Sequence, residues 1–199
     1  MWRQTLIVLV LAVCGWKILQ LFPFPTRLAL APDTPVQTQL QPNEVPAWTA
    51  DGDKITPLAR YDITARILSI EPYWLDSFAK VCPVDFALGW GKMSNPEVYE
   101  QLGISQAQRW YFYHWSGEPP IPPDEIISES ANNHLLPAAP LQAALISSFR
   151  EGDVVHLTGY LVQVDDPDGS HWTSSLSRTD TGPGACEIMW VESARKVGR

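Results

Sequence analysis

From Tyr61 onward the chain falls into stretches with clear periodicity. In "YDITARILSIEPYW", Ile63, Ala65, Ile67 and Ser69 alternate with Thr64, Arg66, Leu68 and Ile70, which predicts a strand that becomes more buried toward its end. "MSNPEVYEQLG" changes to a helical signal: Ser94 is placed to cap, Glu97 to answer it in a capping box, and Gly103 to close the turn. "RWYFYHW" from Arg109 reads as an aromatic strand. In "PAAPLQAALISSFREGD", Leu141, Ala144, Leu145 and Phe149 share one helical face between Pro140 and Gly152, an amphipathic helix. "DVVHLTGYLVQVDDPDGSHWTSSLSR" is the strongest pattern. Val155, Leu157, Gly159 and Leu161 lie on one face, and Pro167-Asp168-Gly169 supplies a turn, so two long strands form a hairpin in which His156 comes opposite Thr179 and Asp180. "CEIMWVESARKV" adds a third strand to make a meander. Strands, a helix, a glycine-bearing strand and two more strands predict a β-rich α+β fold. Its form would be a small antiparallel OB-like barrel with short helices, in which Gly159 permits sharp coiling.

The N-terminus breaks this pattern. An apolar run from Leu6 to Trp16 resumes after Lys17, and Thr5 to Phe24 matches the roughly 20 residues that span a bilayer as a helix. Ala29-Leu30-Ala31 resembles a cleavage site, although Pro32 opposes cleavage, so a removed signal peptide and a buried helix stand beside the uncleaved anchor. Residues 1–30 are thus a membrane anchor or signal segment and 31–57 a Pro/Gln/Thr-rich linker. Residues 58–199 are the folded OB-like domain. The expected location is the inner (cytoplasmic) membrane, single-pass, with the C-terminal domain periplasmic or otherwise extracytoplasmic. Three of the 14 basic residues precede Ala31 and no acidic one does, leaving 11 basic against 22 acidic in the remainder. An acidic body without a basic stripe argues against a nucleic-acid partner.

Candidate chemistry is sparse. Asp180-Thr181-Gly182 spells the tripeptide of aspartic proteases, but Arg178 would hold Asp180 ionised, so a structural turn is expected. Cys82 and Cys186 suggest a disulfide in an oxidising compartment. The alternatives are two buried thiols, or Cys186 as a nucleophile served by a histidine. The histidines have no metal-ligand spacing, and no metal or cofactor is called for. Asn132, Asn133 and His134 concentrate polar side chains before an apolar run, and Trp90 between two glycines is a candidate stacking group. Possible ligand-binding residues are therefore Trp90, Asn133, His134, Arg178 and Asp180.

The blocks "ALGWGKMSNP", "ISESANNHLLPA", "VHLTGYLVQV" and "SSLSRTDTGPGACEIMWVE" resemble those of an uncharacterised family of bacterial envelope proteins with a single N-terminal membrane segment. The likeness runs from about Tyr61 to Val191 and implies location and a shared fold, without an activity. The leading functional expectation is a membrane-anchored, non-catalytic envelope module that binds a protein or glycan. The alternative is an envelope hydrolase built around Asn133, His134, Arg178 and Asp180. Convergence of those four on one concave site would favour the enzyme, and their dispersal the module.

Overall fold

The computed structural model describes residues 29–41 and 43–199; the expected membrane segment lies outside them. Among the described residues no helix is long and apolar enough to cross a membrane. The strands are β1 (Val36–Gln39), β2 (Trp48–Ala50), β3 (Asp53–Pro72), β4 (Val84–Gly89), β5 (Ser105–Ala107), β6 (Trp110–Phe112), β7 (Ser130–Pro137), β8 (Val154–Asp165), β9 (His171–Thr173) and β10 (Glu187–Gly198). Short helices α1 (Pro96–Tyr99), α2 (Pro123–Ser128) and α3 (Pro140–Ser148) lie between them. The fold is a β-rich α+β arrangement with a mostly antiparallel sheet.

Strand β3 organises that sheet. Its first part pairs antiparallel with β8 and its last part with β4. Register shifts at Pro57/Ala59 and Ile67/Ser69 bend the strand so that it can serve both neighbours. From β4 the pairing passes to β7, then in parallel to β10, then antiparallel to β8, which returns to β3. The alternation read from the sequence points Tyr61, Ile63, Ala65 and Ile67 inward, where they meet Phe86, Leu88, Leu135, Leu157 and Val191. A second apolar cluster, with Phe78, Val81, Cys82, Leu136 and Ile188, lies on the opposite side of β7 and β10.

Several expectations need correcting. Residues 31–57 are not a free tether. They carry β1, β2 and the start of β3, with Gln37 opposite Tyr61 and Thr49 opposite Lys54. Arg66, almost fully buried, donates to the carbonyls of Ser94, Gly152 and Ala29 and so pins the beginning of this segment to the domain. Helix α1 is capped by Asn95, which accepts from the Glu97 amide at 3.1 Å, while Ser94 accepts from the Ala31 amide and donates to the Gly91 carbonyl. Helix α3 buries Ile146 and, with Phe149 just after it, packs Leu145 on the core, but leaves Leu141 65% exposed and Ala144 in solvent, so only the C-terminal part of the expected face is used. Beyond the Pro167-Asp168-Gly169 turn the return strand β9 is only three residues long, and β10 takes the place beside β8. His156 therefore faces Asp62, 2.8 Å away, and not Asp180.

Gly159 is demanded by packing. A Cβ there would lie 1.9 Å from the Trp190 carbonyl oxygen of β10. Gly159→Ala is expected to lower unfolding stability by at least about 1–3 kcal/mol, the cost of overpacking against backbone that cannot yield. Urea unfolding followed by tryptophan fluorescence checks it.

Candidate functional site

Asp85 and His134 are direct cross-strand partners on β4 and β7. Because Phe86 and Leu135 point into the core, Asp85 and His134 project from the other face, together with Asn132. The parallel register of β7 with β10 sets Glu187 beside Asn133, so Cys186, one residue earlier, comes next to Asn132. Asn132 points its amide nitrogen at the Cys186 sulfur, 3.8 Å away, and donates to the Arg109 carbonyl at 3.1 Å.

Arg109 ties this cluster to the loops. The β5–β6 hairpin turns on Gln108 and Arg109, both with positive φ (53° and 70°), a two-residue geometry that glycine or asparagine adopts more easily. The strained turn drives the guanidinium inward. It donates to Asp85 at 2.9 Å, to Asp76 at 2.8 Å and to the Cys82 carbonyl at 3.0 Å, and it stacks 3.7 Å from the Tyr73 ring centroid. His134 Nδ1 is 2.8 Å from Asp85 Oδ1, though the approach is off the N–H direction. The imidazole stands edge-on to the stacked Phe78 and Trp172 rings, which fix its plane.

Electrostatics follow from burial. Desolvation opposes the His134 cation, but the neighbouring Asp85 carboxylate and Cys186 sulfur outweigh it and raise the pKa from 6.5 to about 9. Cys82, wholly enclosed, has its thiol pushed well above its ordinary value by burial and by the Asp85 charge. Cys82, Asp85 and His134 lie close enough to suggest three metal ligands. The Arg109 guanidinium already contacts both the Cys82 sulfur, at 3.3 Å, and Asp85, which places a fixed cation where an ion would have to sit.

The expected disulfide is not formed: Cys82 and Cys186 are both free thiols. Arg109 separates them, with its guanidinium against Cys82 and its carbonyl 3.9 Å from the Cys186 sulfur. Cys186 is partly exposed and lines two cavities, of about 280 Å³ and about 340 Å³, that also share Trp110 and Gly182. The first is walled by Tyr111, Phe112, Asn132, Arg178 and Asp180, the second by His134, Trp172 and Arg109.

The residues singled out in the sequence are partly brought together. Arg178 and Asp180 line the first cavity and His134 the second. Asn133 faces the core, where its amide donates to the Ala131 carbonyl at 3.2 Å. Trp90 is fully buried in the main core, because Gly89 allows the Met93 carbonyl to approach and Gly91, at φ 51°, turns the chain away; it is not a surface stacking group. Asp180 is exposed and accepts from the Ser175 hydroxyl at 2.7 Å, as a structural turn requires. Arg178 is spent on Glu187 and on the Tyr61 hydroxyl, the latter at 2.9 Å. Glu187 is fully enclosed, and burial lifts its pKa to about 8, Asp180 adding to the rise while Arg178 opposes it. Asp85 and Arg109 were missed. Neither lies in a motif, and the only local cue was an Asp three residues after a cysteine.

No family model, curated protein or solved structure matches the chain.

Raised pKa values make stability fall with rising pH. Between 6.5 and about 9 the folded state keeps the His134 proton that the unfolded chain has lost, so this contribution is whole below 6.5 and gone above 9. Glu187 acts in the same sense between 4.5 and about 8. Urea unfolding at stepped pH should show an alkaline decline, its upper part flattened in His134→Gln and its lower part in Glu187→Gln.

Proposed function

We propose that the protein is a thiol-dependent acyl-transfer enzyme, most simply a hydrolase. The observation that carries this reading is the position of Cys186: a partly exposed thiol that lines two cavities, one of them shared with a histidine whose Nδ1 lies 2.8 Å from a buried aspartate. Cysteine, imidazole and carboxylate in that order are the elements of an activated nucleophile. His134, protonated at neutral pH, supplies the counter-charge for attack by Cys186 as its thiolate. The sulfur attacks a carbonyl carbon, and His134 gives its proton to the leaving group. It then takes one from the water that cleaves the acyl-thioester and regenerates the thiol. Asp85 is a positioning residue that stabilises the imidazolium, and Arg109 fixes Asp85.

The site also fits a finer reading of the fold. The circuit β3–β4–β7–β10–β8 with its one parallel pair, and α3 between β7 and β8, supports an OB-type barrel. Such barrels bind ligands on the outer face of their second and third strands. In this chain those are β4 and β7, the strands that carry Asp85, Asn132 and His134. This placement, with Trp110 41% and Phe112 49% exposed at the cavity rim, also favours a second reading, a non-catalytic module that binds a protein or glycan through the same groove. In either case we place the domain outside the cytoplasm, tethered by the apolar N-terminal segment.

A panel of activated esters and thioesters with mass-spectrometric readout distinguishes the two. The enzyme reading expects a single acyl adduct on Cys186 and none on Cys82. The adduct should be lost in Cys186→Ala, and acylation should slow about 10²–10⁴-fold in His134→Ala, the range for losing a general acid–base group. If Cys186 reacts with the panel and with iodoacetamide no faster than free cysteine, the binding module stands in its place.

A further inference from the structure

We infer that the end of the domain formed by Trp74, Leu75 and α3 rests on the interfacial layer of a phospholipid bilayer. The inference depends on the proposal that the apolar N-terminal segment is a membrane anchor. It goes beyond that proposal because it assigns a surface, and with it an orientation, to the folded part.

The geometry begins where the described chain does. The Ala29 amide donates to the Arg199 carbonyl at 3.2 Å, and its own carbonyl is held by Arg66, so the point of entry is fixed. Phe24, the end of the apolar segment, is five residues earlier, a reach of at most about 17 Å at full extension. A domain held so closely cannot stand clear of the membrane. The strands found in residues 36–57 remove the long tether that would have allowed it.

Arg199 also lines an open, largely apolar cavity of about 720 Å³, between Val84 and Phe86 on one side and Ile146 of α3 on the other. The cavity thus joins the entry point to two exposed features. On its rim is Trp74, 79% exposed, followed by Leu75, which is 99% exposed. Its wall includes α3, whose sequence PLQAALISS carries no charge and which leaves Leu141, Ala143 and Ala144 exposed. Solvent-facing helices ordinarily carry charges, and an uncharged one beside an exposed Trp-Leu pair is costly in water. Tryptophan at a bilayer interface, with arginines such as Arg150 and Arg199 beside it, is the usual arrangement of groups seated at headgroup level. Glu151 also lines the cavity, but its carboxylate lies 3.3 Å from the Ile70 amide, which donates to it. Val84 and Phe86 turn to this cavity while Asp85 between them turns to the Cys186 site, so seating the first leaves the second open.

The full-length chain reconstituted in phospholipid nanodiscs tests this. Trp74 is isolated as the difference in fluorescence between the wild type and Trp74→Phe, and flotation in a density gradient reports the anchor separately. The expected result is that the Trp74 signal is quenched by lipids brominated near the headgroup and shielded from aqueous iodide. In Leu75→Asp combined with Leu141→Glu it should become open to iodide although the chain still floats. A Trp74 open to iodide in a floating wild-type chain would overturn the seat while leaving the anchor. A Trp74 shielded from iodide but untouched by brominated lipid would also overturn it, pointing to a second copy or to the N-terminal segment as the cover. Failure to float would remove the anchor and the seat together.

Discussion

The enclosed carboxylate of Asp85 is the constraint on which the site depends. It is 1% exposed at the side chain and accepts from Arg109, faces His134 and lies 3.5 Å from the Asn132 amide. An isolated charge so placed would be untenable, and the arrangement persists only because each neighbour is itself fixed. Arg109 is held by Asp76 and Tyr73 from the loop before β4, Asn132 by Gln106 from β5 at 2.6 Å, and His134 by its strand and two aromatic rings. Removing the carboxylate would leave the buried guanidinium with the half-exposed Asp76 as its counter-charge, a loss bounded by the roughly 3–5 kcal/mol of a fully broken buried pair. One buried charge thus joins β4, β7, the β5–β6 hairpin and the Tyr73–Pro83 loop into a single rigid wall.

Rigidity there bears on the proposed chemistry. A nucleophile and its base would need fixed relative positions, and strands supply these better than loops do. His134 stands on a central strand. Cys186 sits at the mouth of another, just before the paired part of β10. The left-handed backbone at Gln108 and Arg109 is strain placed beside the site, with the buried ion pairs of Arg109 to hold it.

Much of the fold was legible because it is local. The alternation of Ile63, Ala65 and Ile67 gave β3, that of Val155, Leu157 and Leu161 gave β8, and Gly159 marked a close approach that the Trp190 carbonyl occupies. The strands in residues 36–50 were not legible. β1 pairs with β3 while leaving most of its side chains in solvent, so Val-Gln-Thr-Gln carries no alternation that would distinguish a strand from a tether. Helix α3 misled in part for the reverse reason: its apolar residues surround most of the helix, so the face drawn through Leu141 and Ala144 stays in solvent while Ile146, off that face, is buried. For the site, His134, Arg178 and Asp180 were visible as polar groups in suggestive loops. Their partners were not, because Asp85, Arg109 and Cys186 meet only through pairings remote in sequence.

The parallel contact between β7 and β10 explains why two cysteines looked like a disulfide and are not one. β10 alternates, so Cys186 projects to the Asn132 side and Glu187 to the core, where Arg178 reaches over Tyr61 to meet it. The loop carrying Asp180 is therefore gripped through Arg178 on one face of the strand while it presents sulfur on the other. A bond from Cys186 to Cys82 would have to displace Arg109 from between them, uncovering Asp85 and Asp76 at once. The charge cluster holds the thiols apart, and in doing so it leaves Cys186 at the edge of a cavity that His134 also lines.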